Sequence, residues 1–181
     1  MIIEAKKIRV RKELKTLQKL DSDFVVKYSF AWIEAMHLYI QMEYCSQTLT
    51  AVLKDKRQVF DKQPTDAMNI YEYFISCEIF RELLECVQYL HGLNPPIIHR
   101  DIKPDNIMIL LNGNNNRFLK LGDFGLAVEH NRASQSHTRG AGTPQYMAPE
   151  VGLYRNYDIK ADIYSVGIIG LKLFEVNTML A

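Results

Sequence analysis

Apolar side chains change their spacing several times along this chain, and each change predicts an element. Over residues 4–20, Ile8, Leu14, Leu17 and Leu20 recur at roughly helical steps among lysines and arginines, the pattern of an amphipathic helix with one buried stripe. Residues 23–33 (DFVVKYSFAWI) and 37–45 (HLYIQMEYC) are rich in Val, Ile, Tyr, Phe and Trp and flank the short polar break from Glu34 to His37, which predicts two antiparallel strands. From Ser46 to Asp66 the pattern dissolves into polar residues, read as a surface insertion or linker in which LTAVLKD makes a short helix. Residues 72–92 then place Ile75, Ile79, Leu83, Val87 and Leu90 three or four apart, a long half-buried helix that Gly92 is placed to end.

The second half follows the same logic. IMILL and FLKL are short apolar runs joined by NGNNNR, which reads as a β-hairpin. From Glu129 to Gly142 the chain is polar and aperiodic, a loop long enough to expect a function of it. ADIYSVGIIGLKLFEV is apolar except for Asp162, Ser165, Lys172 and Glu175, the pattern of a helix buried nearly all round. Helices and strands are segregated along the chain, so the predicted class is α+β.

Composition narrows the function classes. With 181 residues, 48% hydrophobic and 24% charged, the chain has the make-up of an ordinary folded globule. A net charge of +1 gives no field that would gather nucleic acid or anionic lipid, so neither direct nucleic-acid binding nor membrane association is expected. Three cysteines, Cys45, Cys77 and Cys86, are an odd number without paired spacing and point to neither a disulfide framework nor a zinc site; a reducing cytoplasmic location fits best. No apolar run approaches the roughly 20 residues that span a bilayer, and the segment after Met1 is too charged for a signal peptide.

The chemistry concentrates between Ile97 and Leu110, IIHRDIKPDNIMIL, where polar groups are packed between two apolar runs. Asp101 and Asn106 lie five apart on a loop between a helix and a strand, and Asp123 follows the second strand of the predicted hairpin. Three oxygen-bearing side chains at adjacent strand ends can converge on one point. Mg²⁺ takes hard oxygen ligands, commonly one or two from protein with phosphates and water completing the set. Asn106 and Asp123 supply that number, leaving Asp101 to accept a hydroxyl proton and Lys103 to neutralise a phosphoryl group in transfer. Burying the flanking apolar runs fixes the loop, so that positioning lowers the barrier.

HRDIKPDN (His99 to Asn106), DFG (Asp123 to Gly125) and APE (Ala148 to Glu150), in this order and context, resemble the catalytic core of a eukaryotic serine/threonine protein kinase over nearly the whole chain. That resemblance implies ATP and Mg²⁺ as cofactors and a protein serine or threonine hydroxyl as acceptor. It makes Asp101 the catalytic base, Lys103 a catalytic and phosphate-facing residue, and Asn106 and Asp123 the metal ligands. His99 and Phe124 belong to a hydrophobic spine with Leu17 and Tyr28, and Gly125 completes the DFG turn. Glu13 matches the helix glutamate that pairs with a strand lysine. Met42 resembles the gatekeeper, and the backbone of Glu43 and Cys45 binds adenine. Asp162 resembles the buried aspartate that anchors the catalytic loop.

A narrower likeness joins DSDFVVKY, AWIE, LYIQMEYCSQTL and the polar insertion at about residues 46–70 to kinases of the alpha subunit of translation initiation factor 2. On that analogy the factor's alpha subunit is the substrate, Thr138 and Thr143 are activating sites, a phosphate there pairs with Arg100, and two copies of the chain pair. Thr143 also has a plain alternative, packing beside the substrate.

Departures from the pattern are equally informative. No G-x-G-x-x-G loop and no V-A-I-K-like strand precede the first helix; Lys6 and Lys7 stand too close to Glu13 to replace the strand lysine. The chain ends just after the apolar helix, without the arginine expected to pair with Glu150. The expectation is a protein-kinase-like bilobal fold truncated at both ends, with a partial N-lobe over residues 1–44 and a partial C-lobe over 45–181. A competing reading is a non-catalytic, pseudokinase-like binding or scaffold module. The intact set of Asp101, Asn106 and Asp123 discriminates, because a chain released from catalysis has no chemical reason to keep all three.

Overall fold

The computed structural model describes residues 14–35, 37–63, 66–111, 117–131 and 136–176. A helical turn over residues 14–19 (α1) buries Leu17, and Leu20 follows it into the core; Glu13, Ile8 and the two lysines before them lie outside the described residues. Strands β1 (Tyr28–Glu34) and β2 (His37–Met42) form an antiparallel pair with Trp32 opposite Tyr39 and Ala31 opposite Ile40. The first strand starts later than its composition predicts. Asp23 and Phe24 make a turn, and Val25 and Val26 join Leu121 instead, through Val26 N–H donating to the Leu121 carbonyl at 2.9 Å.

The stretch expected to be a surface linker is partly core. Gln47–Thr48 (β3) pairs with the strand β5 (Ile107–Ile109), and the helix α2 (Leu49–Val59) follows with Leu49 fully buried. The Thr48 hydroxyl caps this helix by accepting from the Ala51 N–H. The short helix expected over LTAVLKD is therefore present, but polar composition hid that one of its faces packs into the core.

Helix α3 (Ile70–His91) is the central support. It opens on a capping box in which Asn69 accepts from the Glu72 N–H and the Glu72 carboxylate accepts from the Asn69 N–H. Ile79, Leu83, Val87 and Leu90 are buried, as their spacing predicts, but Ile75 stands on the exposed side with Tyr71 and Phe74. After β4 (Ile97–Ile98) comes a 3₁₀ turn (Pro104–Asn106), then β5, β6 (Leu119–Leu121), β7 (Val128–Glu129), α4 (Pro149–Leu153) and α5 (Lys160–Leu173). The hairpin predicted from IMILL and FLKL is β5 and β6, with Ile107 opposite Leu121. β7 pairs with β4, so the first residue of the predicted loop belongs to a sheet.

The main core joins Leu83 and Leu90 of α3, Ile107, Leu119 and Leu121 of the β5–β6 hairpin, and Ile169 and Leu173 of α5. Buried Glu82 ties helix to sheet by accepting from the N–H groups of Phe118 and Leu119 at 3.1 and 2.9 Å. At the α3–α5 crossing Gly170 lies against Phe80, where a Cβ would come within 3.0 Å of the ring. Contrary to its almost unbroken apolar composition, α5 is not buried all round: Ile163 and Tyr164 are exposed on one side. An apolar helix needs a partner on every side to be buried, and among the described residues α5 packs against α3, the loop before β5 and the Ala148–Tyr157 segment, leaving one side open.

Candidate active site

The loop between β4 and β5 carries the polar cluster, and one buried carboxylate fixes it. Asp162, on the first turn of α5, is 0% exposed and accepts from the His99 N–H, the Arg100 N–H and His91 Nε2, all at 2.9 Å. A carboxylate out of water needs such donors, so these three bonds hold the loop, the end of α3 and α5 together. His99 is also completely buried; its Nε2 lies 3.0 Å from the Gly122 carbonyl and its ring centroid 4.9 Å from that of Phe124. Leu17 shares this core and Tyr28 packs against it.

Past this anchor the reactive groups meet. Asp101 Oδ1 accepts from the Thr143 hydroxyl at 2.7 Å, Asp101 Oδ2 lies 3.1 Å from Lys103 Nζ, and Lys103 Nζ donates to Thr143 Oγ1 at 2.9 Å. Asn106 Nδ2 donates to the Asp101 carbonyl and to Oδ2, at 2.9 and 3.2 Å, which leaves its own Oδ1 as an acceptor. Burial pushes the Asp101 carboxyl up, but the hydrogen bonds from Thr143 and Lys103, with the Lys103 charge, outweigh it and hold the group below the usual carboxylate range. It is therefore ionised at neutral pH.

Among the described residues, Asp123 is tied to this cluster only through its neighbour's backbone. The Gly122 N–H donates to the Asn106 carbonyl at 2.9 Å, so the end of β6 is clipped to the 3₁₀ turn one residue before Asp123. Asp123 is exposed, with φ of +57°, and its Oδ1 accepts from the Gly125 N–H at 3.2 Å. Arg100 also has a positive φ, +69°. Left-handed backbone is costly for residues with a Cβ and persists where the surroundings over-determine it, and both cases flank the cluster. Asn106 Oδ1 and the Asp123 carboxylate are hard oxygens of the kind Mg²⁺ takes alongside phosphate, so the donor chemistry fits that ion.

The segment carrying Thr143 is seated by Gly142, whose φ is +121° and where a Cβ would lie 2.4 Å from the Arg100 carbonyl. Only glycine allows this approach. Arg100 itself donates from Nε to the Leu126 carbonyl at 2.7 Å and from Nη1 to the Tyr157 hydroxyl at 3.0 Å, and that hydroxyl donates to the Thr138 carbonyl at 2.8 Å. Thr138 borders a cavity of about 950 Å³ whose cationic walls are Lys15, Lys19, Arg100, Arg139 and Arg155. Glu150 sits in the first turn of α4 (Pro149–Leu153).

On the opposite side, Met42 ends β2 half-open to solvent. Glu43 is more constrained than a hinge residue read from sequence: its N–H donates to the Lys27 carbonyl at 2.8 Å, and its carboxylate receives Lys120 Nζ at 2.9 and 2.7 Å. Burial, then the Glu43 charge, raises the neighbouring Cys45 thiol. Sequence reasoning named Glu43 for its backbone and missed its side chain. It also missed His91, Lys120, Gly142 and Tyr157. A Gly-Thr pair closing a long polar loop was the only available signal among these.

Comparison with known proteins gives this geometry its family. The model for "Protein kinase domain" matches residues 2–181. Among relatives, serine/threonine-protein kinase cst-1 of Caenorhabditis elegans is 34% identical over 165 residues, covering 91% of this chain and 30% of that protein. The eIF-2-alpha kinase GCN2 of Schizosaccharomyces pombe is 40% identical over 156 residues, covering 77% of this chain and 8% of that protein. A solved structure, the yeast RNA Pol II CTD kinase CTDK-1 complex, superposes with a TM-score of 0.74 at 29% identity, over 93% of this chain and 50% of that one. The chain thus spans under a third of the length of these two relatives. With its family model matched almost end to end and its fold shared with a solved kinase, this chain belongs to the protein kinase domain family.

Proposed function

We propose that this chain carries the catalytic side of a serine/threonine protein kinase that transfers the γ-phosphoryl group of ATP to a serine or threonine hydroxyl of a protein. The observation that supports it is the bonded set of Asp101, Lys103, Asn106 and Thr143 beside the strand end bearing Asp123. Mg²⁺, held by Asn106 Oδ1 and Asp123, supplies charge neutralisation at the phosphates when bound. Asp101, ionised and aimed by Lys103 and Asn106, takes the proton of the acceptor hydroxyl as its oxygen bonds to the γ-phosphorus. The bond broken is that from the γ-phosphorus to the bridging oxygen, which departs with ADP. Lys103 faces the charge on the group in transit. Adenine falls to the Glu43 carbonyl and the Cys45 backbone, because the Glu43 N–H is already bonded.

Thr143 fits a positioning role. Its hydroxyl already bridges Lys103 and Asp101, so a phosphate there would displace both bonds. Thr138 fits modification: a phosphate on it faces the cationic cavity that Arg100 shares. Asp101→Asn is the deciding change. It is expected to lower phosphoryl transfer to a generic protein substrate by roughly 10²-fold or more while leaving thermal unfolding nearly unchanged. Transfer by neither form, with nucleotide still bound, would favour the binding-module reading.

The substrate reading is finer. The match to an eIF-2-alpha kinase supports the initiation factor's alpha subunit as acceptor. Labelling of that subunit in preference to generic basic protein is the expected outcome, and equal labelling removes this substrate.

A further inference from the structure

A second cavity of about 390 Å³ opens beside the catalytic loop, bordered by Lys54 and Lys56 of α2, Pro104, Tyr146, and Lys172 and Glu175 at the end of α5. Its position follows from two links. Pro104 is next to Lys103, and the Tyr146 N–H donates to the Thr143 carbonyl at 2.9 Å, so the cavity touches both segments that carry bonds to Asp101. A protein chain bringing a hydroxyl to Asp101 lies within reach of this cavity on one side of the acceptor.

Its charge is lopsided. Lys56 is answered by Glu175 at 3.4 Å and Glu72 at 3.9 Å, and it donates to the Leu173 carbonyl at 3.1 Å. Glu175 is shared with Lys62 at 2.8 Å. Those groups are spent on one another. Lys172 has no carboxylate among the described residues: its Nζ donates to the Tyr146 hydroxyl at 2.6 Å and lies 4.5 Å from the centroid of that ring. Lys54 is exposed and has no ion-pair partner among the described residues, and its neighbour Asp55 borders a different cavity. Two ammonium groups therefore face the same space with no anion assigned to them. Tyr146 is held in turn, its carbonyl accepting from the buried Ser165 hydroxyl at 2.7 Å, so Lys172 is presented from a fixed platform.

We propose that Lys54 and Lys172 form a specificity subsite that selects a peptide substrate carrying a carboxylate side chain within a few residues of the acceptor hydroxyl. This rests on Asp101 being the point to which the acceptor hydroxyl comes. Charge pairs at a partly open rim give discrimination more than affinity, which is what a substrate filter requires.

Two readouts test it. In phosphorylation of a peptide set in which each position flanking the acceptor is varied in turn, the protein is expected to favour Asp or Glu over Lys at one flanking position. Lys54→Glu or Lys172→Glu should erase or reverse that preference, by roughly three- to tenfold in kcat/KM, with turnover of an uncharged peptide unchanged. Binding of a fluorescent acidic peptide, its acceptor replaced by alanine, should weaken similarly in both variants and in 1 M salt. Lys54→Glu guards against misfolding, since the exposed Lys54 has no ion-pair partner among the described residues. Flat preference with binding indifferent to both substitutions overturns the subsite. Binding that responds to them without transfer to any peptide upholds the subsite and removes the catalytic reading instead.

Discussion

The loop between β4 and β5, with its apolar flanks, and the more apolar β1–β2 hairpin are held in opposite ways. In the loop and its flanks Ile97, Ile98, Ile102 and Ile107 are buried, and Arg100, Asp101, Lys103 and Asn106 are bonded to named partners. The hairpin leaves Phe30 58% and Ile33 75% exposed, and its order comes from an aromatic ladder in which Phe30 stacks on Trp32 at 5.9 Å and Trp32 on Tyr39 at 5.2 Å. Two strands alone are marginal in water. The half that would do the chemistry is thus fixed by buried charge and a packed core, while the half that would cover the nucleotide is fixed at its base, through Val25, Val26 and the Glu43–Lys120 pair. Rigidity lies where the proposed transfer would need its geometry held to fractions of an ångström.

The largest break in this comparison is expected at Asp162. Asp162→Ala strips two backbone N–H groups and His91 of their acceptor in a fully buried place. The cost is expected at about 3–5 kcal/mol, read as a fall in the midpoint of urea unfolding. A loss below about 1 kcal/mol would mean that water reaches those donors and that the loop is not anchored as described.

How far the sequence disclosed this difference depends on what kind of signal each residue gives. Asp101, Asn106, Asp123 and Asp162 stood out because polar groups at fixed spacing inside apolar runs demand partners, and the fold gives each of them a hydrogen bond. The long helix was legible because Ile79, Leu83, Val87 and Leu90 recur on one face. His91 was not, since a histidine at a helix end looks like a surface residue until Asp162 arrives from a helix far along the chain. Lys120 was misleading: between Leu119 and Leu121 strand alternation sends it to the other face of the sheet, which is ordinarily wet, yet here it is buried against Glu43. The exposed sides of α5 and of Ile75 were hidden for the converse reason, since apolar composition says what could be buried and only the neighbours decide what is.

A middle-sized effect should come from the clasp between the two halves. Lys120→Met removes the ammonium from a Glu43 carboxylate that retains, besides it, the Lys27 N–H at 3.2 Å. The expected loss is about 1–2 kcal/mol, smaller than at Asp162 because Glu43 keeps some contact with water. Pairing it with Glu43→Leu should recover part of the loss, since two apolar groups leave no charge stranded. In hydrogen exchange, β2 amides should lose protection in Lys120→Met while those of α3 do not. Equal loosening of both would show that the clasp holds the whole molecule, and the contrast between the halves would weaken.

The smallest expected effect lies in the ladder. Trp32 is 39% exposed and lies on a two-stranded ribbon, so its replacement by alanine gives up two ring contacts, the Nε1–H bond to Glu34 and a cover made only by neighbouring hairpin side chains, about 1 kcal/mol. Leu83→Ala is the internal standard: that side chain is 0% exposed in the main core, and emptying such a site costs about 2–5 kcal/mol. Both can be read in the same urea titration, with Trp32→Phe as the variant that keeps a ring. If Trp32→Ala matched or exceeded Leu83→Ala, the hairpin would have to be covered in solution by something that buries its aromatic side, and its openness would belong to the isolated chain alone. If the loss is small and Trp32→Phe restores it, ring stacking is the hairpin's own source of order, and the asymmetry between a rigid catalytic floor and a lightly held cover is a property of this sequence.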